Sequence, residues 1–200
     1  MKTRILSLAA LALLAAVSCN STKDTSVHQS MYDLNMPIIQ TKYTADPAPI
    51  VIGDTLYLYT SHDDDHGENF IMKDWLLYTT TDMVNWQDRG AVASLRDFKW
   101  YRNNNGAWAQ QVVERNGKYY MYYTADKHIC VATSNSPLGP FEQQKYEPIL
   151  PENNIIDNTL FVDDDGTPYM LYVVINKGFT IYVAELESDL MSIKPSTITP

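Results

Sequence analysis

The sequence predicts an all-β protein assembled from propeller blades. Three observations carry this. Short runs of aromatic and β-branched residues alternate with Gly, Asn and Asp, and no amphipathic helix of convincing length interrupts them. Tyrosine, a strand former, occurs 14 times in 200 residues. A hairpin pattern recurs three times, with its turn glycines at Gly53, Gly117 and Gly166, 64 and 49 residues apart. Several antiparallel strands recurring at about 50 residues read as successive blades.

The first elements belong to export rather than to the fold. Lys2 and Arg4 precede an apolar run from Ile5 to Val17, too short for the roughly 20 residues that span a bilayer. The order of charge, apolar run and small residues is that of a secretory signal. Ala16-Val17-Ser18-Cys19 resembles a bacterial lipobox, in which Cys19 is lipidated and becomes the mature N-terminus. An ordinary signal cut nearby is the alternative. Residues 1–19 are thus expected to be a lipoprotein leader and residues 20–40, polar and rich in Ser and Thr, a flexible tether. An exported protein held at the membrane only by its lipid follows.

The domain is expected over 41–200. Its first hairpin runs from Ile50 through Gly53 to Thr60, its second from Val112 through Asn116-Gly117 to Thr124, and its third from Phe161 through Asp165-Gly166 to Val173. Gly, Asn-Gly and Asp-Gly offer the positive φ that tight hairpin turns require. Six residues beyond each glycine stands a tyrosine: Tyr59, Tyr123 and Tyr172. A further strand follows each hairpin, at Trp75 to Thr80, His128 to Thr133 and Phe179 to Leu186, and turn-like segments close the units near Asp82–Trp86, Ser136–Phe141 and Ser188–Met191. Cys130, between Ile129 and Val131, reads as a small buried hydrophobe. Propellers close with roughly 4 to 8 blades. Three blades leave open sheet faces, so the sequence reads as the N-terminal part of a longer protein.

Composition narrows the function. A formal charge of −9 and a sequence pI near 4.7 disfavour a polyanion such as nucleic acid as partner. The first strand of a blade starts near the propeller axis. Counting back from the turn glycines places Asp46, Trp108 and Asp157 at comparable strand starts. Two carboxylates beside an indole suit a sugar ring, which stacks on the aromatic face while acids move protons. Locally, Asp46-Pro47 also reads as a turn opener, Asp157 as a strand cap and Trp108 as core. Asp163-Asp164-Asp165 reads as a solvated turn, since it lacks the spacing of a calcium loop. The His62-Asp63-Asp64-Asp65-His66 cluster offers His62 and Asp63 for substrate contacts rather than a metal site; a plain polar loop competes.

Thr44-Ala45-Asp46-Pro47, the stretch from Asp74-Trp75 to Asn85-Trp86, Ser134 through Gly139-Pro140-Phe141, and Ile156-Asp157-Asn158 through Gly166 together resemble glycoside hydrolase family 43. The resemblance runs from about residue 37 to the end. It implies a five-bladed β-propeller, about three blades of which are present, acting on arabinose- or xylose-containing plant polysaccharides. It implies that Asp46 is the general base and that Asp157 tunes the pKa of a general acid. Trp108-Ala109-Gln110 matches a Trp-Ala-Pro motif, with Gln110 in place of proline. His62-Asp63 matches a His-Asp stretch of the members active on these sugars.

The family's acid is a glutamate of the following blade. Glu185 and Glu187 lack its context, so the acid is expected beyond Pro200 and the 200-residue chain is expected to be inactive alone. No cofactor or metal is expected, the partner is an oligosaccharide, and the protein is expected to be a monomer. Three other classes compete: a non-catalytic carbohydrate-binding propeller, a fructan-active relative that retains configuration, and a scaffold for protein partners.

Overall fold

Eleven strands in three antiparallel sheets make up the body of the computed structural model, which describes residues 36–98 and 105–200. The expected leader, Cys19 and nearly all of the tether lie outside those residues. Ile38–Pro200 packs as one compact unit.

The first sheet contains β1 (Thr44–Ile52), β2 (Thr55–Asp63), β3 (Met72–Thr80) and β4 (Gln87–Ser94), in that order. The second contains β5 (Ala107–Arg115), β6 (Lys118–Ala125), β7 (His128–Ser134) and the short β8 (Glu142–Gln143). The third contains β9 (Ile155–Val162), β10 (Pro168–Val174) and β11 (Thr180–Glu185), and a bridge between Val183 and Thr199 begins a further pairing on β11. Each sheet is an up-and-down meander, the blade pattern that the hairpin repeat predicts.

The turns follow their residues. Asn116 and Gly117 both hold positive φ, 55° and 75°, between the paired Arg115 and Lys118. That is the backbone of a two-residue type I′ turn, in which twist matches the flanking strands. Gly53, φ 63°, opens the two-residue loop between Ile52 and Thr55. The third turn differs from the tight turn expected. Val162 pairs with Pro168, so the loop has five residues, folded inside by a bond from the Gly166 amide to the Asp163 carbonyl at 2.8 Å. Its three aspartates are exposed, as a solvated turn requires. The last predicted strand also starts later, at Thr180, because Phe179 is left-handed with φ 58°.

Strand alternation sends the residues of the middle sheet into two cores. Met121, Tyr123, Cys130 and Ala132 join Tyr59, Trp75 and Leu77 of the first sheet. Tyr122, Ile129 and Val131 join Met170, Tyr172 and Ala184 of the third. The three repeat tyrosines, Tyr59, Tyr123 and Tyr172, are all buried. A tyrosine of one sheet also ties down the closing segment of the next. Tyr59 Oη donates to the Pro137 carbonyl at 2.5 Å, and Tyr122 Oη donates to that of Leu190 at 2.8 Å. These bonds give buried hydroxyls partners, without which each would cost about 1–3 kcal/mol. The stacking of sheets sets β1 against β5 and β5 against β9, so the three first strands lie side by side.

Candidate active site

Each first strand carries one extra residue at nearly the same level. In β1, Asp46 and Pro47 stand opposite the single Thr60, since Ala45 pairs with Ser61 and Ala48 with Tyr59. In β5, Ala109 is extra between the paired Trp108 and Gln110. In β9, Asp157 and Asn158 stand opposite Tyr172. Such bulges bend a strand and re-aim a side chain. Asp46 and Asp157 accordingly hold positive φ, 51° and 58°. Aspartate tolerates this conformation better than most residues, but the proline after Asp46 disfavours helical conformations there. Neither aspartate is the turn opener or strand cap that local sequence also allowed; both sit inside strands.

Asp46 is solvent-exposed and held from behind. Ser61, fully buried, donates to its Oδ2 at 2.7 Å. The Gln110 amide oxygen lies 3.2 Å from the same hydroxyl, and Gln110 Nε2 donates to the Asp46 carbonyl at 3.2 Å. The Asp157 carboxyl is pushed above the ordinary value of 3.8 by partial loss of hydration and by the charge of Asp46. Asp63 is raised for the same two reasons, partly offset by His62. Asp46 thus shares one electrostatic field with Asp63 of its own sheet and Asp157 of the third. Carboxyls whose proton affinity is raised by a nearby carboxylate are equipped for acid–base work.

His62 and Asp63 end strand β2 rather than lying in a loop. His62 Nδ1 lies 2.7 Å from Asp74 Oδ1 on β3, a partner that the sequence did not single out. Trp108 is half-buried and packs against the first core. Its indole donates to the Phe70 carbonyl at 3.1 Å, while its own carbonyl accepts from Trp75 Nε1 at 3.1 Å. Phe70 is 74% exposed and left-handed, φ 56°. A recess of about 360 Å³ opens there, with Tyr43, Asp63 and Phe70 among its walls. That volume lies at the lower end of small-ligand sites. Among the described residues, no group of three or more His, Cys, Asp or Glu is arranged to hold a metal ion.

The structure therefore places Asp63 and Asp157 within range of the Asp46 charge, and ties Trp108 to the loop beside Asp63. Ser61, Asp74 and the bonding of Gln110 were missed at the level of sequence. Gln110 had shown only as a departure from a motif.

Comparison with known proteins decides the family. The sequence profile of "Glycosyl hydrolases family 43" matches residues 34–199. The chain belongs to glycosyl hydrolase family 43. Among curated members, it is 36% identical over 151 residues to xylosidase/arabinosidase 43A of Humicola insolens, covering 68% of this chain and 45% of that one. It is 35% identical over 150 residues to a xylosidase/arabinosidase of Bacteroides ovatus, covering 65% and 43%. Among solved structures, a GH43 enzyme of Xanthomonas citri complexed with xylose superposes with a TM-score of 0.72 at 26% identity, covering 88% of this chain and 60% of that one. The chain spans about half the length of the curated relatives it matches. Family 43 membership accords with the three sheets seen here and with the propeller fold read from the repeat.

Proposed function

We propose that the protein to which this chain belongs hydrolyses xylosidic or arabinofuranosidic bonds of plant polysaccharides and their oligosaccharides, with inversion of configuration. Asp46 is the general base. It takes a proton from the water that attacks the anomeric carbon as the glycosidic C–O bond breaks. Ser61 and Gln110 orient it. Asp157 modulates the proton affinity of the general acid, which protonates the leaving oxygen from the opposite face. Trp108 packs beside the sugar, and His62 and Asp63 contact its hydroxyls. No cofactor takes part.

What supports this reading above all is the meeting of Asp46 and Asp157, from the first strands of two different sheets, in one electrostatic field. Relatives named for xylosidase and arabinosidase activity supply the substrate class. The acid is a glutamate outside the described residues. Glu185 is paired with Lys194 at 2.8 Å, and Glu187 stands in the turn that follows β11. An inverting hydrolase needs both carboxyl groups, about 6.5–9.5 Å apart with water between them. The 200-residue chain alone is therefore inactive.

The same proposal assigns residues 1–19 as leader, Cys19 as the lipidated residue, 20–40 as tether and 41–200 as the glycosidase domain, acting as a monomer on the exported side of the membrane. Among the described residues no helix is long and apolar enough to cross a bilayer. Metabolic labelling with a fatty acid, lost in Cys19→Ser, tests the anchor.

The function is tested by turnover of p-nitrophenyl xyloside and arabinofuranoside by the whole protein. Asp46→Asn is expected to lower kcat on the order of 10²–10⁴-fold. Undiminished turnover by Asp46→Asn, or Asp46-dependent turnover by the 200-residue chain alone, contradicts the proposal.

A further inference from the structure

We infer that Gln110 and Gln111 form a two-sided spacer that fixes the separation of Asp46 and Asp157, which makes both glutamines positioning residues. This rests on the proposed function in one respect, that the separation matters for hydrolysis.

The two glutamines are consecutive on β5, past its bulge, where Gln110 pairs with Tyr123 and Gln111 with Tyr122. Regular pairing sends their side chains to opposite faces. Gln110 reaches the first sheet. Its Nε2 donates to the Asp46 carbonyl and its Oε1 approaches the hydroxyl of Ser61, which donates to the Asp46 carboxylate. It thus touches both the backbone and the side-chain partner of Asp46, and it is 4% exposed. Gln111 reaches the third sheet. Its Oε1 accepts from the Leu160 amide and, at 3.2 Å, from Thr159 Oγ1, while its Nε2 approaches the Leu160 carbonyl at 3.4 Å. Thr159 and Leu160 directly follow the Asp157-Asn158 bulge.

The three first strands belong to different sheets, so no backbone ladder joins β1 to β5 or β5 to β9. The two amides supply what a ladder would. Gln111 meets both the N–H and the C=O of Leu160, as a neighbouring strand would, and Gln110 donates to one carbonyl of β1. A side-chain amide carries donor and acceptor on two separate atoms without charge, as a peptide group does. A carboxylate at 110 would add a negative charge beside Asp46, and the proline expected there offers no donor. Asp46 and Asp157 repel each other, so a loosened spacer lets them move apart.

The test is titration of the Asp157 carboxyl by carbon-detected NMR in the full chain, a measurement that needs no turnover. In Gln110→Met, which keeps length and bulk but no polar atom, the Asp157 midpoint is expected to fall toward 3.8. Gln110→Asn keeps the amide but not the reach and is expected to fall likewise, as is Gln111→Met. Thr80→Val, which removes the hydroxyl that accepts from the Met83 amide at 2.8 Å at the far end of β3, is the control: a lower Tm with the midpoint unmoved. Should the glutamine variants lower Tm and leave the midpoint where it was, they act as ordinary packing and the inference is overturned. If Gln110→Met does not fold, Gln110→Asn and Gln111→Met decide the matter in the same way. Failure of the whole protein to hydrolyse glycosides, with the titration as expected, would sink the function and leave the spacer standing.

Discussion

Asp46 and Asp157 hold the same left-handed backbone conformation, φ 51° and 58°, each within a two-residue bulge of a first strand. Strained backbone of this kind persists where surrounding structure over-determines it and clusters at functional sites. Here the surroundings are Ser61 and Gln110 behind Asp46, and Gln111 bonded just beyond Asp157.

Substitutions at Asp46 should therefore split by chemistry. Asn tolerates positive φ, keeps an acceptor for Ser61 and removes a charge that raises both Asp63 and Asp157. Asp46→Asn is expected to hold or raise Tm while lowering kcat on the order of 10²–10⁴-fold. Asp46→Ala keeps the Cβ at positive φ but loses the polar side chain that makes this conformation tolerable and the acceptor for Ser61, at a cost of about 0.5–1.5 kcal/mol, or roughly 1–6 °C in a chain of this size. Calorimetry on the pair checks this; equal Tm values would contradict it.

The raised carboxyls set a pH dependence. A folded-state pKa above the unfolded value means that the folded chain holds the proton more tightly, so stability is lost as pH rises through the window from 3.8 to the raised value. Other carboxyls act oppositely: the Asn85 and Val84 amides hold Asp82 well below the usual range. The contribution of Asp157 is isolated by difference. The stability of Asp157→Asn minus that of the native chain should climb with pH through that window and then level off. A flat difference from acid to neutral pH would contradict the raised value.

Trp108 anchors a loop through its indole N–H. Trp108→Phe retains an aromatic ring but leaves the Phe70 carbonyl without its donor. A typical hydrogen bond contributes about 0.5–1.5 kcal/mol. Amide exchange is expected to quicken at Asp64, whose N–H donates to the Ile71 carbonyl at 2.9 Å, with little change at β6. Unchanged protection at Asp64 would mean that the indole does not hold the loop.

Gly106 opens the second blade at φ 97°, and an added Cβ would lie 2.6 Å from the Asp126 amide nitrogen. That backbone donates to the Gly106 carbonyl at 3.0 Å and cannot easily recede. Strain and overlap together make Gly106→Ala cost at least about 2 kcal/mol. Denaturant unfolding measures it, and a change within about 0.5 kcal/mol would contradict the crowding.

The hairpins were legible because their signals are local. Gly53, Asn116-Gly117 and the strands around them state both turn and period within a dozen residues. The burial of Tyr59, Tyr123 and Tyr172 follows from the same repeat. The site was legible in part. Counting from the turns put Asp46 and Asp157 at comparable levels of their strands, where the structure has them, but a bulge is a property of two paired strands and leaves no mark on one of them. Gln110 bonds to a residue 64 positions away, and His62 to one 12 positions away across a hairpin; neither partner can be read before the strands are paired. The third turn was misjudged because Asp-Gly suggests a two-residue loop, whereas Val162 pairs with Pro168 and leaves five residues between.

The central claim is that Asp46 activates water across a gap, with a separate acid opposite, instead of attacking the sugar itself. The most direct measurement is the configuration of the first sugar released by the whole protein, read by proton NMR before mutarotation. From a β-xyloside the account expects α-xylose first, with the signal absent in Asp46→Asn. β-Xylose appearing first would mean a covalent, retaining route and would contradict it.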